Sequence, residues 1–399
     1  MKSAKNGIVS AEPMLRNGHI LPASYTSALD SYCYGSTTRS RAATEDSSSI
    51  ITKSNEAAAA VGTGRNRRKG EKEEGKWLLG QEEVALVFRE PGVFTGYRPS
   101  LQPWRYYLLS VFTPLHNESL NVWTHLVAAG LALKLLLWDY LPSLPAPAWQ
   151  EDARVWPFVA GYVTNLGLFL ASVAAHLLHS KSELHHYVCF MFDYGAVGLY
   201  GMGSGLHHLY YAGEDWFFDY AQHFYLPVMV LLSTGSCLAS AWCKVRYRRP
   251  YPRVRKLAQV GSVLLMYAWI SLPLASRFWH WAQWDAALGL HARQLLWFAL
   301  AGLFYGAELP QAVWPGRFDF LGHGHQLFHV CIALTTFYAS KAAYLDMLSR
   351  RQEGRAPIRA PSGLLSCLWP ILTVIALELC IIRWLTGVVR RKLDASRSS

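Results

Sequence analysis

Residues 320–345 read FLGHGHQLFHVCIALTTFYASKAAYL. As a helix, this largely apolar run is long enough to cross the roughly 30 Å hydrocarbon core of a bilayer. It nevertheless carries His325 and His329 in its first turns. A spacing of four places both imidazoles on one face of a helix, which is the geometry that two ligands of one metal ion need. Because polar groups inside a membrane are costly to bury, the stretch predicts a membrane helix that carries a functional site.

The composition of the whole chain also indicates a membrane protein. Of its 399 residues, 52% are hydrophobic and only 16% are charged. Eight spans are predicted, at about 120–138, 157–178, 187–210, 222–242, 257–275, 293–309, 320–345 and 364–386. The third and seventh are the most polar, so we expect them to face the interior of the bundle. The predicted fold is an all-α, polytopic membrane helix bundle of seven core transmembrane helices plus an eighth.

The remaining chain divides into segments by composition. Residues 1–80 are rich in small and charged side chains and are predicted to form a disordered cytosolic tail. Residues 81–119 mix aromatic and basic side chains, which is typical of a juxtamembrane, interfacial segment. The transmembrane bundle is then expected over 120–386, with a C-terminal tail over 387–399.

The net charge of +11 does not indicate nucleic-acid binding, because much of it lies in short loops between apolar runs. Lys and Arg concentrate after the fourth span, between Lys244 and Lys256, and after the eighth span. The positive-inside bias therefore predicts that the N terminus is cytosolic. The basic loop would then face the cytosol, where it could contact anionic lipid or a G protein.

If successive spans cross the membrane in opposite directions, two more polar residues lie at the same depth in the bilayer as His325 and His329. His176 lies near the end of the second span and Asp193 near the start of the third. Three histidines supply three ligands and leave one position open, as in catalytic zinc sites, so we predict Zn²⁺ on His176, His325 and His329. Asp193 is expected to reach the ion through a water. Ser172 lies one turn before His176 and could orient it or donate toward an oxyanion.

Other intramembrane polar residues have simpler interpretations. His323 is an alternative to His325 as a ligand, although it lies on a different helix face. Glu308 and Glu378 could pair with a neighbour, such as Arg383 for Glu378, or touch a ligand. The histidines of the turn after the second span are predicted to be solvated: His179, His185 and His186.

Over about residues 90–392 the chain resembles the progestin and adipoQ receptor family, in particular its membrane progestin receptors of the alpha and beta types. The resemblance rests on motifs that occur in order and at the family's spacing. They are Gly96-Tyr97-Arg98-Pro99, His116-Asn117-Glu118, Asn121-Val122-Trp123-Thr124-His125, Ser172-x-x-x-His176-Leu177-Leu178, Lys181-Ser182-Glu183-Leu184, Phe192-Asp193-Tyr194, Gly203-Ser204, Tyr247-Arg248-Arg249-Pro250-Tyr251-Pro252 and Gly322-His323-Gly324-His325-Gln326-Leu327-Phe328-His329. One departure is visible before the seventh span, where relatives often carry Pro-Glu-Arg and this chain has Pro310-Gln311-Ala312.

The resemblance implies seven core spans with a cytosolic N terminus and an added eighth span. It implies zinc bound by His176, His325 and His329, with Asp193 close by. It further implies a plasma-membrane receptor for progesterone-type steroids that signals rapidly and, in some systems, controls oocyte maturation.

A hydrolase is the alternative, because the wider superfamily includes ceramide hydrolases with the same Ser, His, Asp and His-x-x-x-His set. In that case Asp193 would accept a proton from water and Ser172 would help to stabilise the oxyanion. A conventional G-protein-coupled receptor is disfavoured by the inferred orientation. We expect a steroid receptor whose partners are a progestin, membrane lipids and a heterotrimeric G protein.

Overall fold

The computed structural model describes residues 76–112, 114–144, 153–249, 251–280, 284–352 and 364–398. Most of this part of the chain is helical, and its β-type pairing is limited to an isolated bridge between Leu79 and Tyr97. The prediction of an all-α, polytopic membrane bundle is confirmed. Of the predicted N-terminal tail 1–80, residues 1–75 lie outside the described residues.

Long helices form the bundle, and each overlaps one predicted span. They are α1 (Ser119–Lys134, continued as a π-helix over Leu135–Tyr140), α2 (Trp156–Leu178), α3 (Glu183–His207), α4 (Tyr225–Arg246), α5 (Arg253–Ser271), α6 (Ala286–Ala307), α7 (Gly324–Gln352) and α8 (Leu364–Ser398). The last helix continues past the predicted end of the eighth span at 386 and includes most of the predicted tail 387–399.

Local sequence signals explain where several helices begin. Pro157 lies in the first turn of α2, where the missing N–H of proline costs nothing. The side chain of Ser182 caps α3 by accepting from the backbone N–H of His185. Asp285 caps α6 in the same way and accepts from the N–H of Leu288 at 2.6 Å.

Six of the long helices are long and apolar enough to cross a membrane: α1, α2, α4, α5, α6 and α8, some with short extensions. Helices α3 and α7 have 25 and 29 residues, but their composition is too polar for the same criterion. Both pack within the bundle, α3 against α2, α4 and α8, and α7 against α6 and α1. Most of their polar side chains are buried or half-buried, as the sequence predicted for the third and seventh spans.

Glycines allow α3 to approach its neighbours closely. A Cβ added at Gly203 would meet the side chain of Thr164 and lie 2.9 Å from the Cα of Gly161 on α2. One added at Gly198 would meet the carboxylate of Glu378 on α8 and lie 2.9 Å from the carbonyl oxygen of Ser233 on α4. Small residues at such crossings are typical of membrane helix packing.

The segment before α1 lies against the end of the bundle where α2 ends and α7 begins. It contains a short helix, Trp104–Leu109, in the part predicted to be interfacial. Asp319, shortly before α7, accepts hydrogen bonds from the backbone N–H groups of Phe94 and Thr95 at 3.1 and 2.9 Å. The segment therefore covers the region in which the predicted histidines lie.

Candidate metal centre and cavity

Helices α2 and α7 bring together the three predicted histidines. His176, His325 and His329 each offer one ring nitrogen, and these nitrogens lie within 4.8 Å of one another. The Nε2 atoms of His176 and His325 are 3.1 Å apart. The imidazoles of His176 and His329 are buried and that of His325 is half-buried.

Hydrogen bonds to two of these rings fix which nitrogen is free. His176 donates from Nδ1 to Oε2 of Glu118 at 2.7 Å, and His329 donates from Nδ1 to the backbone carbonyl of Asn121 at 3.1 Å. A neutral imidazole that is protonated on Nδ1 has a lone pair on Nε2. The Nε2 of His176 thus points a lone pair at Nε2 of His325, which can donate a hydrogen bond to it, and the same lone pair is available to a cation shared with His325 and His329. The residues could therefore hold a metal ion through three imidazole ligands, and a carboxylate supports one of them.

Glu118 also lies at this centre, although no role was predicted for it. Besides His176, it accepts a hydrogen bond from Nδ2 of Asn121 at 2.6 Å and lies 3.4 Å from Nε2 of His179. Burial by itself raises the pKa of Glu118, but the imidazoles of His176 and His179 stabilise the carboxylate and hold its pKa well below its usual range. Glu118 is therefore an ionised carboxylate in a buried site.

Arg98 is a second residue that received no role from the sequence. Its guanidinium donates to the backbone carbonyls of His176 and Leu177 at 2.7 and 2.8 Å and to the hydroxyl of Ser110 at 2.9 Å. Burial lowers the pKa of Arg98 to about 10, so it stays charged at neutral pH. A cation at these carbonyls stabilises the C-terminal end of α2 and holds the backbone of His176 in place.

A cavity of about 260 Å³ opens beside the histidines and extends between α3, α5, α6 and α7. His176, His325 and Asp193 are among the polar residues that line it. Further along, its walls include the apolar side chains of Leu264 and Phe298. The candidate metal centre thus adjoins a space in which an amphipathic molecule could bind.

The two other predicted site residues also lie on this cavity. Asp193 lines it but does not belong to the group of three histidines close enough to share an ion. Ser172 lines it as well, and its buried hydroxyl has no hydrogen-bond partner among the described residues. An unpaired hydroxyl next to a candidate metal centre is available to a ligand.

Tyr267 on α5 presents a second unpaired hydroxyl to the cavity. Its ring stacks on Phe298, with centroids 3.5 Å apart and ring planes 10° apart. Within the described part of the chain its buried hydroxyl has no hydrogen-bond partner. The cavity therefore has a polar group at its apolar end as well as at the histidine end.

Several interpretations of neighbouring polar residues need correction. His179 and His186 are not solvated but buried, 4% and 1% exposed, with their Nδ1 atoms 3.1 Å apart. The reason is that the segment before α1 covers the turn that carries them: Phe88 packs on both rings. His323 bonds the carbonyl of Asn117 at 3.2 Å and lies outside the three-histidine group.

The intramembrane carboxylates behave differently from each other. Glu308 pairs with Lys256 at 2.7 Å. Glu378 is buried, and no ion pair joins it to Arg383 in the described ranges. Instead its carboxylate lies against Gly195 and Gly198 of α3, a contact that spacing along α8 could not predict.

Comparison with known proteins decides the family. A family model described as haemolysin-III related matches residues 113–339. The membrane progestin receptor beta of Homo sapiens is 37% identical over 275 residues, which cover 68% of this chain and 77% of that protein. The membrane progestin receptor alpha-B of Danio rerio is 36% identical, with 68% and 76% covered, and the gamma receptor of Mus musculus is 33% identical, with 77% and 91% covered. This chain belongs to the progestin and adipoQ receptor family. Residues 113–339, which the family model matches, include the three histidines, Ser172 and Asp193.

Proposed function

We propose that this member of the progestin and adipoQ receptor family is a plasma-membrane receptor for progesterone-type steroids. Its relatives carry the name membrane progestin receptor. The observation that carries the proposal is the hydroxyl of Tyr267, buried without a partner at the apolar end of a cavity inside the bundle. A steroid is a rigid apolar body with a few polar ends, and such a cavity suits it.

The contacts that a steroid would make follow from the cavity walls. Leu264 and Phe298 would cover its apolar rings, and the Tyr267 hydroxyl would donate to a carbonyl at one end. Phe298 also holds the Tyr267 ring by stacking, so the donor is fixed before the ligand arrives. Such an arrangement selects a molecule with a polar group at the position of the hydroxyl.

We propose that Zn²⁺ binds at the other end of the cavity. His176, His325 and His329 would hold it, and Asp193 would reach it through a water. A bound ion would join the end of α2 to the start of α7. Without the ion, these two helix ends, which lie between the cavity and the loops, would be held together less firmly. Signalling would pass to a heterotrimeric G protein at the basic segment between α4 and α5, which would also contact anionic membrane lipids.

Displaceable binding of labelled progesterone to the purified protein tests the receptor proposal. We expect saturable binding that Tyr267→Phe weakens about 2- to 13-fold, because one neutral hydrogen bond contributes about 0.5–1.5 kcal/mol. The matched control is Tyr220→Phe, since Tyr220 is 73% exposed and does not line the cavity. The absence of displaceable binding in the wild-type protein would overturn the proposal.

The orphaned hydroxyl of Ser172 favours a second candidate, an amidohydrolase that cleaves a lipid amide. A Zn²⁺ ion would supply Lewis-acid chemistry there. Asp193 would accept the proton of the attacking water, and the Ser172 hydroxyl would donate to the oxyanion that forms on the carbonyl. Release of fatty acid from ceramide by zinc-loaded protein tests this candidate, with loss of activity in Asp193→Asn. Zinc-loaded protein that releases no fatty acid argues against it.

A further inference from the structure

Two buried cations face the cavity without an anionic partner. Lys244 on α4 is 4% exposed and Arg255 on α5 is 7% exposed, and both line the cavity. Across the described ranges, neither has a carboxylate within ion-pair distance, and Nε of Arg255 is buried without a hydrogen-bond partner. Their contacts are with aromatic rings: the Lys244 ammonium lies 4.3 Å from the centroid of Phe190, and the Arg255 guanidinium 3.5 Å from that of Tyr251.

The other charges along the cavity wall are largely matched. Arg249 pairs with Glu90 at 2.7 Å, and Lys256 pairs with Glu308 at the same distance. Glu118 is engaged by His176 and His179. The remaining carboxylate is Asp193, which forms no ion pair with either cation in the described part of the chain. Two buried basic side chains face one carboxylate here, so basic groups are in excess, and a buried unpaired charge is costly unless a ligand compensates it.

One face of α5 joins these cations to the apolar end of the cavity. Arg255, Gln259, Val263 and Tyr267 follow one another at a spacing of four and all line the cavity. At 1.5 Å per residue, the distance along the helix from Arg255 to Tyr267 is about 18 Å. The wall therefore changes from cationic to apolar over a length suited to one amphipathic molecule.

We propose that Lys244 and Arg255 bind the oxyanion head of an amphiphile, a phosphate or sulfate monoester, whose apolar body lies along α5 toward Tyr267. An ammonium and a guanidinium supply the point charge and the planar fork that such oxyanions accept. A neutral steroid would leave both cations without a partner, so this site goes beyond the proposed receptor function and does not depend on it.

The test uses two lipids that differ only in the phosphate. The purified full-length protein is titrated with 1-oleoyl lysophosphatidic acid and with 1-oleoylglycerol, and dissociation constants are compared. We expect the wild-type protein to bind the phosphate lipid at least about tenfold more tightly. Inorganic phosphate distinguishes a free ion from a lipid head: the proposal requires that millimolar phosphate displace the lipid only weakly. Equal binding of the two lipids, or inorganic phosphate as effective as the lipid, overturns it.

Matched variants assign the preference to these side chains. Lys244→Gln/Arg255→Gln should lower the preference for the phosphate lipid to near parity while 1-oleoylglycerol binds as before. Arg246→Gln/Arg253→Gln removes the same charge from exposed positions of the same two helices and should keep the wild-type preference. A preference that survives in the first variant, or that both variants lose equally, contradicts the proposal.

Melting temperatures show whether the Lys244→Gln/Arg255→Gln protein is folded. Because the substitutions remove basic groups that are buried without an anion, the ligand-free Lys244→Gln/Arg255→Gln protein should melt no lower than wild type. Lysophosphatidic acid should raise the melting temperature of the wild-type protein and leave that of the variant unchanged. A ligand-induced rise of equal size in both proteins also overturns the assignment.

Discussion

At the scale of single residues, Glu118 supports the candidate metal centre from outside the group of ligands. Its carboxylate accepts a hydrogen bond from Nδ1–H of His176, so that Nε2 keeps a lone pair for an ion. Loss of such a supporting carboxylate typically lowers metal affinity 10- to 100-fold. We therefore expect Glu118→Gln to lower zinc affinity by roughly that factor, measured by equilibration against a chelator and metal analysis of the purified protein.

Two further variants serve as controls for that measurement. Glu308→Gln removes a carboxylate from the same cavity, but Glu308 pairs with Lys256, so zinc affinity should stay at the wild-type value. His325→Ala/His329→Ala removes two proposed ligands and should abolish binding. Zinc at full stoichiometry in the double histidine variant would refute the site.

His116 gives the segment before α1 a pH-dependent stability. The His116 imidazole is fully buried. Its Nδ1 accepts a hydrogen bond from the backbone N–H of Glu118, and its Nε2 lies 3.2 Å from the carbonyl oxygen of Ser110. Burial lowers the pKa of His116 from 6.5 to about 3. Between these values the unfolded chain binds more protons than the folded chain, so stability falls as the pH falls below about 6.5. By pH 5.5 the loss from this group is about 1 kcal/mol.

Replacement of that imidazole should flatten the pH dependence. His116→Asn keeps an acceptor for the N–H of Glu118, and its melting temperature should fall about 2 °C less than that of wild type between pH 7.5 and 5.5. His223→Asn changes an exposed imidazole and should keep the wild-type dependence. Identical pH dependence in wild type and His116→Asn would show that His116 does not contribute.

The sequence predicted the residues of the candidate centre only where they lie inside spans. A spacing of four and matching depth were enough for His176, His325 and His329. Glu118 and Arg98 lie outside the spans, and their position depends on the fold of the segment before α1. One signal was available: Glu118, Asn121 and His125 recur at helical spacing, which places three polar residues on one face of an apolar helix.

At the scale of helices, α3 was predictable as a span despite its polarity, but its contact with α8 was not. The pattern of small residues on α3 indicates close packing, whereas the partner depends on tertiary structure. A Cβ at Gly198 would meet the Glu378 carboxylate and the Ser233 carbonyl. A flexible side chain could move away from the added methyl group, but the backbone carbonyl of Ser233 on α4 cannot. Gly198→Ala should therefore destabilise the bundle by about 1–3 kcal/mol, despite the higher helix propensity of alanine, and lower its melting temperature.

The control for this substitution lies on the neighbouring helix. A Cβ added at Gly235 on α4 would have no atom within 4 Å beyond the adjoining residues and backbone of its own helix. Gly235→Ala should leave the melting temperature unchanged or raise it slightly, because alanine favours the helix. If both variants melt at the wild-type temperature, α8 does not pack on α3 as closely as the structure has it.

At the scale of the whole molecule, the direction of α8 follows from its contacts with α4. Lys392, near the end of α8, donates to the carbonyl of Val245, near the end of α4, at 3.0 Å. Trp384, eight residues before Lys392 on α8, stacks on Trp242, three residues before Val245 on α4, with centroids 5.7 Å apart. The two helices therefore run in the same direction, so that α8 crosses the bundle and ends on the side where α4 ends.

That side is also the side of the candidate metal centre. Arg98 binds the end of α2 there, α7 begins there, and the basic segment between α4 and α5 lies there. Because short basic loops stay in the cytosol, we expect both termini, the histidines and this segment to be cytosolic. Epitope tags at either terminus should be detected only after the cells are permeabilised. A glycosylation acceptor inserted between α5 and α6 should be modified, whereas one inserted between α4 and α5 should not. A C-terminal tag accessible on intact cells, with the N-terminal tag protected, would mean that α8 does not cross, and the parallel contacts of α8 with α4 would then be wrong.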